Sequence, residues 1–264
     1  MFTRKKIDAI YRGEIIGKEI IFLESATSTN DVAMSIGRQR KDPEGIVVIA
    51  EEQSQGRGRL GREWISPPGV NLYFTVLLRP PFPPREAPVF TLAAAASVVS
   101  AIRDYAGIRA GIKWPNDILI GKKKAGGILL EMKAHEGKIE LLLIGIGLNV
   151  NMPLSGFPDD LRPLSTSLGI EGGKPIDRAG LLCRILEEME ASYNILLTGD
   201  KRTLINQWLR LNFTIGNKVK VQNQDRVITG IAENINDRGE LLLKLPDGTI
   251  ETLNSGDVTI LKNS

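Results

Sequence analysis

Gly56-Arg57-Gly58-Arg59-Leu60-Gly61 satisfies the dinucleotide fingerprint G-x-G-x-x-G letter for letter, and the residues after it, Arg62-Glu63-Trp64-Ile65-Ser66-Pro67-Pro68-Gly69, decide the fold. A doubly wound nucleotide fold needs that loop to open directly into a helix whose N-terminus receives the pyrophosphate. Two prolines and the lack of any helical period forbid such a helix here. Residues 52–69 instead read as a long loop between strands at 46–50 and 70–78, and a loop of that length needs a functional reason. Glycine alternating with arginine lets backbone approach a ligand closely, while the guanidinium forks of Arg57, Arg59 and Arg62 suit phosphate or carboxylate oxygens. A mobile surface loop or an RNA-binding arginine-glycine segment would share this composition. The single short copy between strands favours an anion site.

A second cationic stretch, Lys113-Trp114-Pro115-Asn116-Asp117, continues into Gly121-Lys122-Lys123-Lys124-Ala125-Gly126-Gly127. Both cationic clusters are read as loops. Lys113 and Asp117 flank a rigid Trp-Pro turn, so a cation and a carboxylate are fixed together; the carboxylate either holds Mg²⁺ bridging phosphates or pairs with a lysine. Lys122 and Lys123 read as a solvated turn. Lys124, beside small residues that admit a ligand, is placed to meet a phosphoryl or carboxylate group. Ser28-Thr29-Asn30 joins a strand to a helix, where Ser28 or Thr29 serves as N-cap; three adjacent polar side chains also suit a compact hydrogen-bonding head group. Asn149 closes the run Gly145-Ile146-Gly147-Leu148-Asn149, whose glycines allow a planar ring to lie against backbone.

Composition narrows the chemistry. The single cysteine, Cys183, lies in an apolar stretch and reads as an inert buried thiol, which excludes a disulfide within the chain. The single histidine, His135, sits in a hairpin-tip sequence; no Cys/His zinc cluster can form, and a Ser-His-Asp site is disfavoured. A net charge of +3 is too small to mark a nucleic-acid surface without a basic stripe. The N-terminus lacks an apolar signal core, and the apolar stretches at 91–102 and 139–150 are too short for a membrane span, so a cytoplasmic protein without membrane contact is expected.

Along the chain, a strand is predicted at 19–24, helices at 30–39 and 86–105 with Gly107 as C-cap, a hairpin of strands 126–133 and 138–149, and helices at 177–197 and 200–211. After Asn212 the texture changes to short alternating strands at 218–222, 226–235, 240–245 and 249–253, with turns at Asp237-Arg238-Gly239 and Pro246-Asp247-Gly248. This reads as a small β-barrel with a domain boundary near residue 213.

Taken in order, Ser28-Thr29-Asn30, Gln53 ahead of the Gly56–Arg62 segment, Lys113-Trp114-Pro115-Asn116-Asp117, Lys124-Ala125-Gly126-Gly127 and Gly145-Ile146-Gly147-Leu148-Asn149 resemble the motifs of biotin protein ligases. The resemblance implies an α+β catalytic domain over 1–212, a mixed or antiparallel sheet with helices packed on it and related to class II synthetases, followed by an SH3-like barrel over 213–264. It implies that ATP activates biotin as biotinyl-5'-AMP and that biotin then passes to a lysine of a biotin carboxyl carrier protein. Ser28, Thr29, Asn30, Gln53, Arg57, Gly58, Arg59, Lys124 and Gly127 would bind biotin. Arg59, Arg62, Trp64, Lys113, Asn116, Asp117, Lys124 and Asn149 would serve ATP, with Asp117 also on Mg²⁺, and Lys124 and Arg59 acting in catalysis. Some family members add an N-terminal DNA-binding module; this chain starts near the catalytic domain, so no operator or other nucleic-acid binding is expected. Homodimers through a sheet edge are common in the family. A lipoate or octanoate ligase of the same fold and a non-enzymatic biotin-binding sensor are the competing readings.

Overall fold

The computed structural model describes residues 2–223 and 226–261. A seven-stranded sheet has the order β1-β2-β3-β7-β6-β5-β4, comprising β1 (Glu19–Ala26), β2 (Ile46–Gln53), β3 (Leu72–Leu78), β4 (Ala110–Lys113), β5 (Asp117–Ile120), β6 (Lys123–His135) and β7 (Lys138–Leu148). Only β1 and β2 run parallel, joined by α2 (Thr29–Gln39); the other pairs are antiparallel, so the sheet is mixed, as expected.

Both faces of the central strands are covered, which is why 46–50, 72–78 and 141–148 read as unbroken apolar runs rather than alternating ones. Val47, Ile49, Phe74, Val76, Leu142, Ile144 and Ile146 face the large core under α3 (Ala87–Ala106) and α5 (Arg178–Leu197). Ile46, Val48, Leu77, Leu141 and Leu143 pack on the other face against Ala33 of α2. Gly107 ends α3 at φ 68, the left-handed cap its position predicts. The 91–102 stretch, expected to be too short for a membrane span, lies in a helical run Pro84–Ala106 of 23 residues, long and apolar enough by composition to cross a membrane, but its most apolar part is mostly buried inside the protein.

The second sheet, order β11-β10-β9-β8-β12, is antiparallel throughout, with β8 (Lys218–Asn223), β9 (Arg226–Ile235), β10 (Leu241–Lys244), β11 (Ile250–Leu253) and β12 (Asp257–Ile260). Its inward residues Val219, Val221, Ala232, Leu241 and Leu243 join the main core, and α6 (Lys201–Leu211) leads into it. Trp114 is the wedge between the two sheets: its Nε1 donates to Gly239 O at 2.9 Å and its backbone N to Thr214 Oγ1 at 2.8 Å.

Five elements were not foreseen. These are α1 (Arg4–Ile10), β4, β5, α4 (Leu168–Gly172) and β12. Thr3 caps α1 through its side chain, and Ile7 of that helix is fully buried. Lys123, read as turn, is the first residue of β6. Cys183 is buried, and loss of solvation pushes its thiol up to about 11, so the inert reading holds. His135 is exposed beside the tip of the β6–β7 hairpin.

Candidate active site

Strand register lays the site out as a grid. On the face that carries α2, one transverse row runs Ala50, Tyr73, Gly147, Gly127, Asp117, Lys113 across six strands. The neighbouring row runs Val48, Thr75, Gly145, Leu129. Leu141 and Leu143 fill this face of β7 under α2; two positions further on, the same face presents Gly145 and Gly147, and the sheet opens into a cleft of about 1160 Å³.

Those glycines admit protein side chains. A Cβ at Gly145 would fall 2.3 Å from Asn30 Oδ1, and one at Gly147 would fall 2.4 Å from Trp64 Nε1. The planar ring on the β7 glycine is therefore the Trp64 indole, carried over the sheet by the arginine-glycine loop. Its Nε1 is buried against the sheet without a hydrogen-bond partner. Gly147→Ala is expected to destabilise the fold by about 1–3 kcal/mol, the usual cost of overpacking. It should also shift the tryptophan emission to the red as Trp64 is pushed outward; an unchanged melting curve and spectrum would contradict this packing.

The uncharged end of the cleft is built on the α2 N-terminus. Ser28 occupies the N-cap position, as expected, but makes no side-chain capping bond. Gln53 replaces that cap: its Oε1 accepts from Thr29 N at 2.9 Å and Thr29 Oγ1 at 3.2 Å, while its Nε2 donates to Ser66 Oγ at 3.0 Å. Asn30 is fixed from three sides, by Thr75 Oγ1 donating to Oδ1 at 2.6 Å, by Glu131 Oε2 accepting from Nδ2 at 2.6 Å, and by Gly145 beneath. Thr75 and Glu131 gave no sequence signal; only the register brings them to Asn30.

The other end is cationic. Lys113 and Asp117 are not loop residues but register partners at the ends of β4 and β5, joined by a hairpin that contains a cis Trp114–Pro115 peptide. The Asp117 carboxylate takes Lys113 Nζ at 2.8 Å on one oxygen and Lys124 Nζ at 2.5 Å on the other. Burial pushes this carboxyl up, but the two ammonium groups outweigh it and hold Asp117 below the ordinary range. Lys124 Nζ also lies 5.7 Å from the centre of the Trp64 ring. The salt-bridge alternative for Asp117 is thus realised, with both oxygens occupied. Among the described residues no group of three His, Cys, Asp or Glu side chains is placed to hold a metal. The site does not fit a protein-held Mg²⁺.

The arginines of the loop point three ways. Arg57 makes a two-pronged pair with Asp31, at 2.7 and 2.6 Å, which pins the loop to α2. Arg59 Nη1 donates to Asn116 Oδ1 at 3.0 Å and to Gly256 O at 3.3 Å; burial pulls this guanidinium below its usual value, against the pull of Asp117 and Asp257. Arg62 pairs with Asp257. Gly58 and Leu60 line the same cleft, Leu60 with φ 58 and 76% exposure at the loop tip, a backbone conformation that costs a non-glycine residue on the order of 1–3 kcal/mol. Asn149 is buried at the rim, its Nδ2 donating to Thr166 O at 3.1 Å. All residues expected to bind biotin or ATP therefore line one cleft. Met152, Phe157, Leu161 and Leu164, together with the 256–261 segment, line it unanticipated.

Comparison with known proteins gives a consistent picture. The model of the biotin/lipoate A/B protein ligase family matches residues 22–149, and that of the biotin protein ligase C terminal domain matches 214–261. The bifunctional ligase/repressor BirA of Bacillus subtilis is 38% identical over 247 residues, 94% of this chain and 75% of that protein. The biotin--[acetyl-CoA-carboxylase] ligase of Mycobacterium tuberculosis is 30% identical over 263 residues, 95% of this chain and 94% of that one. The structure of the Aquifex aeolicus biotin protein ligase in complex with biotin and ATP superposes with a TM-score of 0.79 at 27% identity, covering 93% of this chain and 100% of that chain.

Proposed function

This chain belongs to the biotin protein ligases, and on that premise we propose that it couples biotin to ATP as biotinyl-5'-AMP and transfers biotin to one lysine of a biotin carboxyl carrier protein in the cytoplasm. The observation that carries the reading is the convergence of Arg59, Arg62, Lys113 and Lys124 at one end of a cleft whose other end presents the hydrogen-bonding side chains Ser28, Thr29, Asn30 and Gln53. Two anions, a carboxylate and an α-phosphate, have to meet for adenylation, and such a meeting needs fixed positive charge at the junction and neutral polar groups elsewhere.

In this reading Ser28, Thr29, Asn30 and Gln53 hold the ureido ring, Trp64 serves the nucleotide beside Lys124, and Lys124 meets the carboxylate. A biotin carboxylate oxygen attacks the α-phosphorus and the bond to pyrophosphate breaks, with Lys113, Lys124, Arg59 and Arg62 offsetting the charge. The acceptor lysine, as its free amine, then attacks the acyl carbon; the carbon–phosphate oxygen bond breaks and AMP leaves. Any Mg²⁺ enters with the nucleotide, since the chain builds no cage for it, and no step is assigned to it.

Arg59 bridges Asn116 and the C-terminal sheet, so it closes the loop over the reacting groups and keeps water out. Arg59→Gly is expected to release biotinyl-AMP into solution while still forming it. Retention of labelled intermediate on a filter equal to that of the parent protein would defeat this role. The reading as a whole is tested by biotin-dependent exchange of labelled pyrophosphate into ATP, with lipoate and octanoate alongside. Exchange with biotin alone supports it, and exchange with another acid moves the chain to that substrate.

A further inference from the structure

One segment enters the cleft from the C-terminal sheet. The turn between β11 and β12 carries Gly256 against β8, where a Cβ would fall 2.5 Å from Val221 Cγ1, and its carbonyl receives Arg59 Nη1 at 3.3 Å. The next residue, Asp257, opens β12 in register with Gln222 and pairs with Arg62. Both arginines nearest the cationic end are therefore met by the second sheet. The Asp257 carboxylate also acts on Arg59, favouring its charged form against burial. A carboxylate in this position presents to Arg62 an oxygen of the kind that a phosphate would present, so the two compete for one guanidinium.

Resting on the nucleotide reading of the cleft given above, we infer that Asp257 is the resting counter-anion of Arg62. It fastens the arginine-glycine loop to the C-terminal sheet and competes with the nucleotide phosphates for that guanidinium. Nucleotide binding then exchanges a carboxylate for a phosphate at Arg62, so Asp257 is a positioning residue that lowers affinity for the nucleotide. The pair is half exposed, with side chains 63% and 35% accessible, so the exchange is screened by solvent and its effect is moderate.

The test is calorimetric titration of the full chain with inorganic pyrophosphate and, separately, with ATP without biotin. Asp257→Asn is expected to tighten both by about fivefold at low salt, the equivalent of the upper range for an exposed ion pair, with the gain shrinking as ionic strength rises. Biotin affinity should not move. Arg62→Ala should weaken both anions, and Asp257→Asn on that background should give no gain. Equal or weaker anion binding by Asp257→Asn overturns the inference. A gain that persists without Arg62 also overturns it, because it would reflect general charge rather than competition for one arginine. Biotin-dependent pyrophosphate exchange by the parent chain separates the two levels: parent exchange with no gain in Asp257→Asn sinks this inference alone, whereas tighter anion binding without parent exchange sinks the ligase reading and leaves the competition intact.

Discussion

Lys124→Ala is expected to lower biotin-dependent pyrophosphate exchange by about 10²- to 10³-fold, the loss that follows removal of one fixed group stabilising charge in a transition state. Two effects act in the same direction. The ammonium that lies beside the Trp64 ring and Gly127 disappears from the point where carboxylate and α-phosphate would meet. The Asp117 oxygen it neutralised at 2.5 Å is then bare and repels both arriving anions. Lys113 stays on the other oxygen, so the carboxylate remains partly paired and the fold should survive. Lys124→Arg should rescue poorly, because the planar fork needs more room than a point charge and Asp117 beneath it is 13% exposed. Lys122→Ala, an exposed turn residue, serves as the comparison and should change the rate far less. Exchange by Lys124→Ala within threefold of the parent would remove this lysine from the chemistry.

How much of this was open to sequence reading follows from what each feature depends on. The β6–β7 hairpin was legible because its turn, Glu136-Gly137, adopts positive φ at both residues and interrupts two long apolar runs. Helix α3 was legible for its alanine-rich length and its glycine cap. Strands β4 and β5 were not, since each has four residues and owes its extended shape to pairing with each other and with β6 rather than to local propensity. The same limit governs the site. The loop chemistry of Arg57, Arg59 and Arg62 is local and was read directly. That Trp64 lies on Gly147, that Asn30 lies on Gly145, or that Asp257 takes Arg62, depends on which strands pair in which register. Strand β12 leaves little sequence signal because 257–260 is a four-residue edge strand with a weak alternating pattern. The residue that reaches into the cleft from the second sheet was therefore out of view.

Arg178→Ala is expected to destabilise the protein by about 3 kcal/mol, the lower end for breaking a buried ion pair by removing one partner. Its guanidinium and the Glu51 carboxylate are 10% and 13% exposed and make two contacts, at 2.8 and 3.1 Å. Arg178 also donates to Asn71 O at 3.0 Å and lies 4.5 Å from the centre of the Phe2 ring, while Glu51 accepts from Gly69 N at 3.1 Å. The pair thus ties the first residue of α5 to β2 and to the 69–71 end of the arginine-glycine loop. Alanine leaves Glu51 nearly buried with its charge uncompensated, and for a chain of this size the loss corresponds to a fall in melting temperature of roughly 6–12 °C. Arg4→Ala, which breaks an exposed pair with Asp8, should shift melting by about a degree or less. Glu51→Gln with Arg178→Met, which removes both charges while keeping bulk, should recover most of the loss, because the cost lies in the stranded charge and not in the attraction given up. A double variant as unstable as Arg178→Ala would mean that the stacking on Phe2 and the bond to Asn71 carry the stability instead. Because Gly69 hangs from the same carboxylate, Arg178→Ala should also make the 56–69 loop more open to proteolysis in the native protein, at temperatures where the rest of the sheet is intact.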